Sequence, residues 1–147
     1  MRKLPPPPEK AAEAYSAIAD GRVTLFAAEE RAEVISSDGE KKYAVAWRGN
    51  VYTSTDNATR WQGYAGYPVL AVLMLQGRLP LDREVAALFS GINWTELNRK
   101  HRRDYAAALD AVVRARNMDA AAVRAAMDQV FERLSALDVE IRRSLGR

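Results

Sequence analysis

The chain has 147 residues, 48% of them apolar and 28% charged, a balance that suits one folded unit with a sizeable core. Its net charge of +3 permits an anionic partner without demanding one. With no cysteine and one histidine, disulfides, thiolate metal sites and histidine-based catalytic clusters are excluded, so no metal or cofactor is expected.

The opening MRKLPPPPEK lacks the apolar stretch of a secretory signal, and the longest apolar run, 69–75, is far too short to span a bilayer. A cytoplasmic protein without membrane contact is expected. Pro5 to Pro8 favour an extended polyproline II tether behind a basic Arg2-Lys3 tip. From Glu9, the spacing of Ala11, Ala14, Tyr15 and Ile18 gives one apolar helix face ended by Asp20-Gly21, which predicts a short docking helix. Val23 and Leu25 alternate as a strand, and Ala28-Glu29-Glu30 makes a polar break.

Asp38-Gly39 and Gly49-Asn50 are two-residue hairpin signals that bracket 40–48 and predict a three-stranded antiparallel meander. Their registers set Val34 opposite Tyr43, Ala32 opposite Val45 and Trp47 opposite Tyr52, all six on one face. Glu33, Lys42, Ala44, Ala46, Arg48 and Val51 take the other face. The pattern leaves open which side meets the helices.

Residues 56–66 carry turn chemistry, and Pro68 stands at the first position of a helix, VLAVLMLQ, that Gly77 terminates. Apolar on all sides, this helix is expected at the centre. Asp82 caps a short helix through Val85, Leu88 and Phe89 to Gly91. Asn93 with Glu96 forms a capping box at the start of a helix expected to run to about Arg116. Its apolar face holds Trp94, Leu97, His101, Tyr105, Ala108 and Val112, so His101 reads as a core histidine rather than a catalyst. Arg99, Lys100, Arg102 and Arg103 fall mostly opposite that face and read as a solvated charge run, as do Glu29, Glu30 and Glu33.

Asn117 stops that helix and Asp119 caps a last one from Ala120 to about Leu145. Val123, Met127, Val130, Leu134, Leu137 and Ile141 follow a 4, 3 spacing, and Arg133 and Asp138 flank this heptad seam. The seam predicts either a leucine-zipper-like homodimer, the favoured reading, or an intrachain helical hairpin. Strand number and orientation stay open, because the valines occupy the d positions.

Six of the nine Trp and Tyr residues lie between Tyr43 and Tyr67, interleaved with Arg48 and Arg60. Rings of this kind stack on unpaired bases, and neighbouring cations take phosphates, whereas paired bases in a duplex offer no free face. Lys42, Trp47, Arg48, Tyr52, Arg60, Trp61, Tyr64 and Tyr67 are the expected nucleic-acid contacts. The alternative for Trp47, Tyr52 and Trp61 is burial beneath the central helix.

Length, an aromatic and basic sheet over 43–67 and a zipper-like helix over 119–145 together make the chain resemble the ThermoDBP family of single-stranded-DNA-binding proteins from hyperthermophilic archaea. That resemblance covers the whole chain without a short diagnostic motif. It implies a fold other than the OB-fold, a cleft of rings and basic side chains, dimerisation through the C-terminal helix, and no catalysis. The expected organisation is a nucleic-acid-binding α+β domain over 1–117, with its Pro-rich arm, and a dimerisation helix over 118–147. Single-stranded DNA is the expected ligand, with RNA sharing the same chemistry. Two other functions fit: a protein-interaction module built on the helical hairpin, and a small-ligand binder or enzyme using the aromatic 61–67 loop.

Overall fold

Two tight turns and one strand-like tail build the sheet. The structure, a computed structural model, describes residues 6–143 and 145. Strands β1 (Val23–Phe26), β2 (Arg31–Ile35), β3 (Lys42–Arg48), β4 (Val51–Ser54) and β5 (Glu140–Ile141) lie in sequential order in one sheet. Val34 pairs with Tyr43, Ala32 with Val45 and Trp47 with Tyr52, the registers expected from the turns. The first loop is longer than two residues. Ser36 N donates to Lys41 O at 2.8 Å and Gly39 N to Ser36 O at 2.9 Å. Because the loop stays centred on Asp38-Gly39, the register is unchanged.

The aromatic face turns inward. Ala32, Val34, Val45 and Tyr52 are buried against the helices, and the Trp47 ring stacks on Tyr52 with centroids 5.9 Å apart. Tyr52 donates its hydroxyl hydrogen to Gln76 Oε1 at 2.6 Å and accepts from Arg78 Nη1 at 3.1 Å. The outer face carries the charges, with Glu33 facing Arg31 at 3.3 Å and Lys42 at 3.7 Å. Exposed pairs of this kind add little stability.

Six α-helices stand among the described residues: α1 (Lys10–Ala19), α2 (Tyr67–Leu75), α3 (Arg83–Leu88), α4 (Trp94–Lys100), α5 (Tyr105–Ala115) and α6 (Ala120–Ala136). The chain is thus α+β with a C-terminal helix. As expected, α2 is buried on all sides; it starts at Tyr67, one residue before the expected Pro68, which takes the second helical position. Asp82, Asn93 and Asp119 cap α3, α4 and α6 through their side-chain oxygens.

Helix α1 departs from the docking-helix expectation. Lys10 to Ala17 are all buried, because Ala11, Ala12, Ala14 and Ala17 let α2 and α3 approach on several sides. Pro6 is buried, and Pro7 O and Pro8 O accept from Lys10 N and Ala11 N, so Pro6 to Pro8 lead directly into the helix. Arg2, Lys3 and Pro5 lie outside the described residues.

The helix expected from Asn93 to Arg116 is two helices. Arg103 N donates to Asn98 O at 2.7 Å and Arg102 N to Arg99 O at 3.1 Å, a Schellman closure of α4. Arg102 and Arg103 have φ of 55° and 64°, a left-handed conformation that strains non-glycine residues. Asp104 Oδ1 then accepts from Ala107 N and starts α5.

The long zipper helix is also corrected. Helix α6 ends at Ala136, Leu137 is extended, and β5 then joins β4 in parallel, with Glu140 N donating to Asn50 O and Arg142 N to Tyr52 O. Val123, Met127, Val130, Leu134 and Ile141 are buried, and Leu137 packs against the same cluster. The heptad seam is therefore satisfied within the chain and is not available to a partner helix. One hydrophobic cluster runs from Ala11 to Ile141, so the division at 117/118 does not separate two cores. Among the described residues, no helix is long and apolar enough to cross a membrane.

Burial makes the core sensitive to alkali. Burial, with Asp82 nearby, pushes the Tyr15 phenol up to about 12, and its hydroxyl has no hydrogen-bond partner. The unfolded phenol ionises near pH 10, so through the window from there to about 12 the unfolded chain loses a proton that the folded chain keeps. Stability therefore falls as pH rises through that window. Replacing Tyr15 with Phe should shallow this fall and, because the lost hydroxyl is unpaired, stabilise the neutral protein by about 1 kcal/mol. Melts followed by circular dichroism from pH 7 to 12 check both effects. An unchanged alkaline slope would contradict the assignment.

Candidate functional site

A cavity of about 590 Å³ opens beside the inner edge of the sheet and draws most of its wall from four segments, with Arg22 and Ser37 completing it. Helix α1 supplies Lys10 and Glu13, strand β3 supplies Tyr43, residues 56–67 supply a ring-bearing loop, and α4 with the α4–α5 break supplies Trp94, Asn98, Arg99, Arg103 and Tyr105.

The loop is braced by two buried polar side chains. Ala58–Gln62 forms a π-helical turn, a geometry that recurs at functional sites. Asp56 Oδ2 accepts from Thr59 N at 3.1 Å, and Thr59 Oγ1 accepts from Gly66 N at 3.1 Å. Gly66 is required here, since a Cβ would sit 2.0 Å from Asp56 Oδ2. Held this way, Trp61 remains 63% exposed, with the Arg60 guanidinium 5.7 Å from its ring centroid. Tyr67 meets Tyr43 edge to face at 6.1 Å.

Lys10 and Glu13, one helical turn apart, form a buried ion pair at 3.1 Å. Burial disfavours the Lys10 ammonium, but Glu13 and the nearby Tyr105 and Tyr64 outweigh it and hold its pKa above the ordinary value. Lys10 also lies 4.0 Å over the Tyr105 ring. Burial raises the Glu13 pKa, with Lys10 and a hydrogen bond from Asn98 opposing the rise. Burial likewise raises the phenols of Tyr43, Tyr64 and Tyr67, which keeps them protonated and able to donate hydrogen bonds at neutral pH.

Five buried polar atoms of the lining residues have no hydrogen-bond partner: Asp56 Oδ1, Asn98 Oδ1, Trp94 Nε1 and Arg22 Nε and Nη2. Asp56 and Trp94 are 5% and 3% exposed, so water does not readily replace what is missing. Among the described residues, no group of three or more His, Cys, Asp or Glu could hold a metal ion.

Of the residues expected to bind nucleic acid, Trp61, Tyr64 and Tyr67 line the cavity, and Arg60 lies against the Trp61 ring without lining the cavity. Lys42 and Arg48 do not join them, because their strand positions put them on the outer face of the sheet. Tyr52 is 1% exposed and Trp47 is half-buried against it, so both support the sheet and neither offers a free ring face. Arg99 and Arg103, read from sequence as a solvated run, line the cavity instead. The i, i+4 spacing of Trp94 and Asn98 on one helix face was the available signal for that wall. Lys10 and Glu13 had a comparable one in their i, i+3 spacing.

Together these features define an α+β protein with one sheet backed by helices and an open, ring-lined cavity carrying more cations than carboxylates. The chain belongs to the family described as Uncharacterised conserved protein UCP014422, whose profile matches residues 2–140. No curated protein and no solved structure matches it.

Proposed function

We propose that the chain binds single-stranded nucleic acid without catalysis, seating one unpaired base in the cavity and adjacent phosphates on the cations around it. The observation that carries this reading is the continuity of ring and charge from inside the cavity to its outside. Tyr43, Tyr64, Tyr67 and Tyr105 line the interior, while Trp61 stands 63% exposed beside Arg60, and Arg99 and Arg103 add positive charge to the wall. A ligand confined to the interior would leave the exposed Trp61 face unused, whereas a strand can stack a second base there. A volume of about 590 Å³ suits one nucleotide-sized group. A paired base would have to leave its duplex to enter. The resemblance to the ThermoDBP family points the same way.

The partly unpaired polar wall also favours a second reading, in which a free planar anion occupies the same cavity. Photo-crosslinking with an oligonucleotide carrying 4-thiothymidine tests the location. Adducts should map to Tyr43, to 61–67 and to Tyr105. Adducts confined to the outer sheet face around Lys42 and Arg48 would overturn the assignment.

A further inference from the structure

Helix α4 is a thin partition between two hollows. Trp94, Thr95, Asn98 and Arg99 line the ring-bearing cavity, whereas Asn93, Glu96, Leu97 and Lys100 line a separate groove of about 460 Å³ whose other side is α5. A helix turns about 100° per residue, which sets these two groups about 180° apart around its axis. The groove floor is apolar, with Ile92 and Val112 buried and Leu97 and Ala111 partly exposed. Lys100 and Arg116 stand there with one carboxylate, Glu96. Arg116 Nη1 already donates to Leu88 O at 2.9 Å and Ser90 O at 2.7 Å, so Lys100 is the cation left for a ligand.

The two hollows are joined around the C-terminal end of α4 by positive charge. Arg99, Lys100, Arg102 and Arg103 are all exposed, and none has an ion-pair partner among the described residues. Arg99 and Arg103 line the cavity, Lys100 lines the groove, and Arg102 falls between them in the chain. Arg102 and Arg103 also keep the left-handed backbone, φ 55° and 64°, that glycine would adopt without strain. Neither side chain makes a hydrogen bond among the described residues that would account for arginine at such a place. A ligand of repeated negative charge accounts for both. From this continuity, and resting on the reading of the cavity as a base site, we infer that a bound strand continues from the cavity around the end of α4, its phosphates on these four cations, and lays a further base on the apolar floor of the groove. Bases pack on apolar as well as aromatic side chains. A protein segment in the groove would leave the four cations unused.

Fluorescence anisotropy on the full chain tests this with labelled oligothymidylates of about three and about twelve nucleotides, the first enough for the cavity and the second for cavity and groove together. The parent should bind the longer strand more tightly, and its slope of log affinity against log salt should steepen by about 0.7 for each added phosphate contact. Lys100→Glu should weaken the longer strand at least about threefold and flatten its slope, while the shorter strand binds as it does to the parent. Arg102→Gly should do the same and also raise the melting temperature, because glycine relieves the left-handed strain. A gain in stability joined to a loss of long-strand affinity is not what a structural role would give. Parent-like binding of both strands by both variants overturns the path over α4 and leaves the cavity reading intact. Equal weakening of the two lengths overturns it as well, since the cations would then serve the cavity alone. A longer strand that binds the parent no more tightly than the shorter one assigns the groove to another occupant, such as a protein segment, and overturns the inference. No binding of either strand overturns the cavity reading with it.

Discussion

Ending the chain after Asn117 should abolish the cooperative fold, not convert a dimer into a folded monomer. The removed segment holds Val123, Met127, Val130, Leu134, Val139 and Ile141, all buried in the common cluster, and the β5 backbone that pairs with β4. Each such side chain contributes about 1.5–3 kcal/mol on burial. Removed together, they contribute about 9–18 kcal/mol, as much as the whole margin of roughly 5–15 kcal/mol that separates a folded domain from its unfolded state. A single change, Met127→Ala, should already destabilise by about 2–5 kcal/mol, since Met127 is 1% exposed and a cavity is left behind. Chemical denaturation of both variants measures this. A truncated chain that melts cooperatively near the parent temperature would restore the view of a separable C-terminal helix.

Ring and charge at the cavity should separate in their response to salt. Trp61→Ala removes a ring that is 63% exposed, so the protein should melt like the parent yet bind a single strand about 1–3 kcal/mol more weakly. A stacked ring releases no counterion, so the slope of log affinity against log salt should be unchanged. Arg103→Ala removes a cation from the cavity wall and should flatten that slope by about 0.7 for each phosphate that Arg103 neutralises. Lys42→Ala and Arg48→Ala, on the outer sheet face, should change neither quantity. Titrations at several salt concentrations read all four variants. A flatter slope in the outer-face variants, with no change in Arg103→Ala, would move the interface to the other side of the sheet.

The parts of this fold that were legible in the sequence are those determined by local chemistry. Asp38-Gly39 and Gly49-Asn50 gave the strand registers, and Pro68, Asp82, Asn93 and Asp119 gave helix starts, because turn and cap geometry depends on a few adjacent residues. The inner face of the sheet could have been recognised as well. Ala32, Val34 and Val45 share it with the rings, while Glu33, Lys42 and Arg48 lie opposite.

Two elements misled because one stretch carried two periods. Leu137, Val139 and Ile141 alternate with Asp138 and Glu140 as a strand does, yet Leu137 and Ile141 also extend the helical seam. The open edge of β4 decided for the strand. The α4–α5 break was similarly hidden, because Arg102 and Arg103 are good helix formers held left-handed by tertiary context, and only Asp104 ahead of an alanine-rich run announced a new start. The cavity itself lies beyond local reading. Its walls join residues from α1, β3, the 56–67 loop and α4, and only the packing of Ala-rich α1 against α2 and α3 brings them together.

The claim that an unpaired base enters this cavity meets its most direct test in binding to one labelled oligonucleotide, single-stranded and then annealed to its complement, at the same salt. Cationic contacts with phosphate are open to both forms, whereas Trp61 and the cavity tyrosines can receive a base only from the free strand. The single strand should bind at least about tenfold more tightly, an advantage that should disappear in Trp61→Ala combined with Tyr64→Ala. Equal affinity for the two forms, or a single-strand advantage that survives the double substitution, would contradict the account.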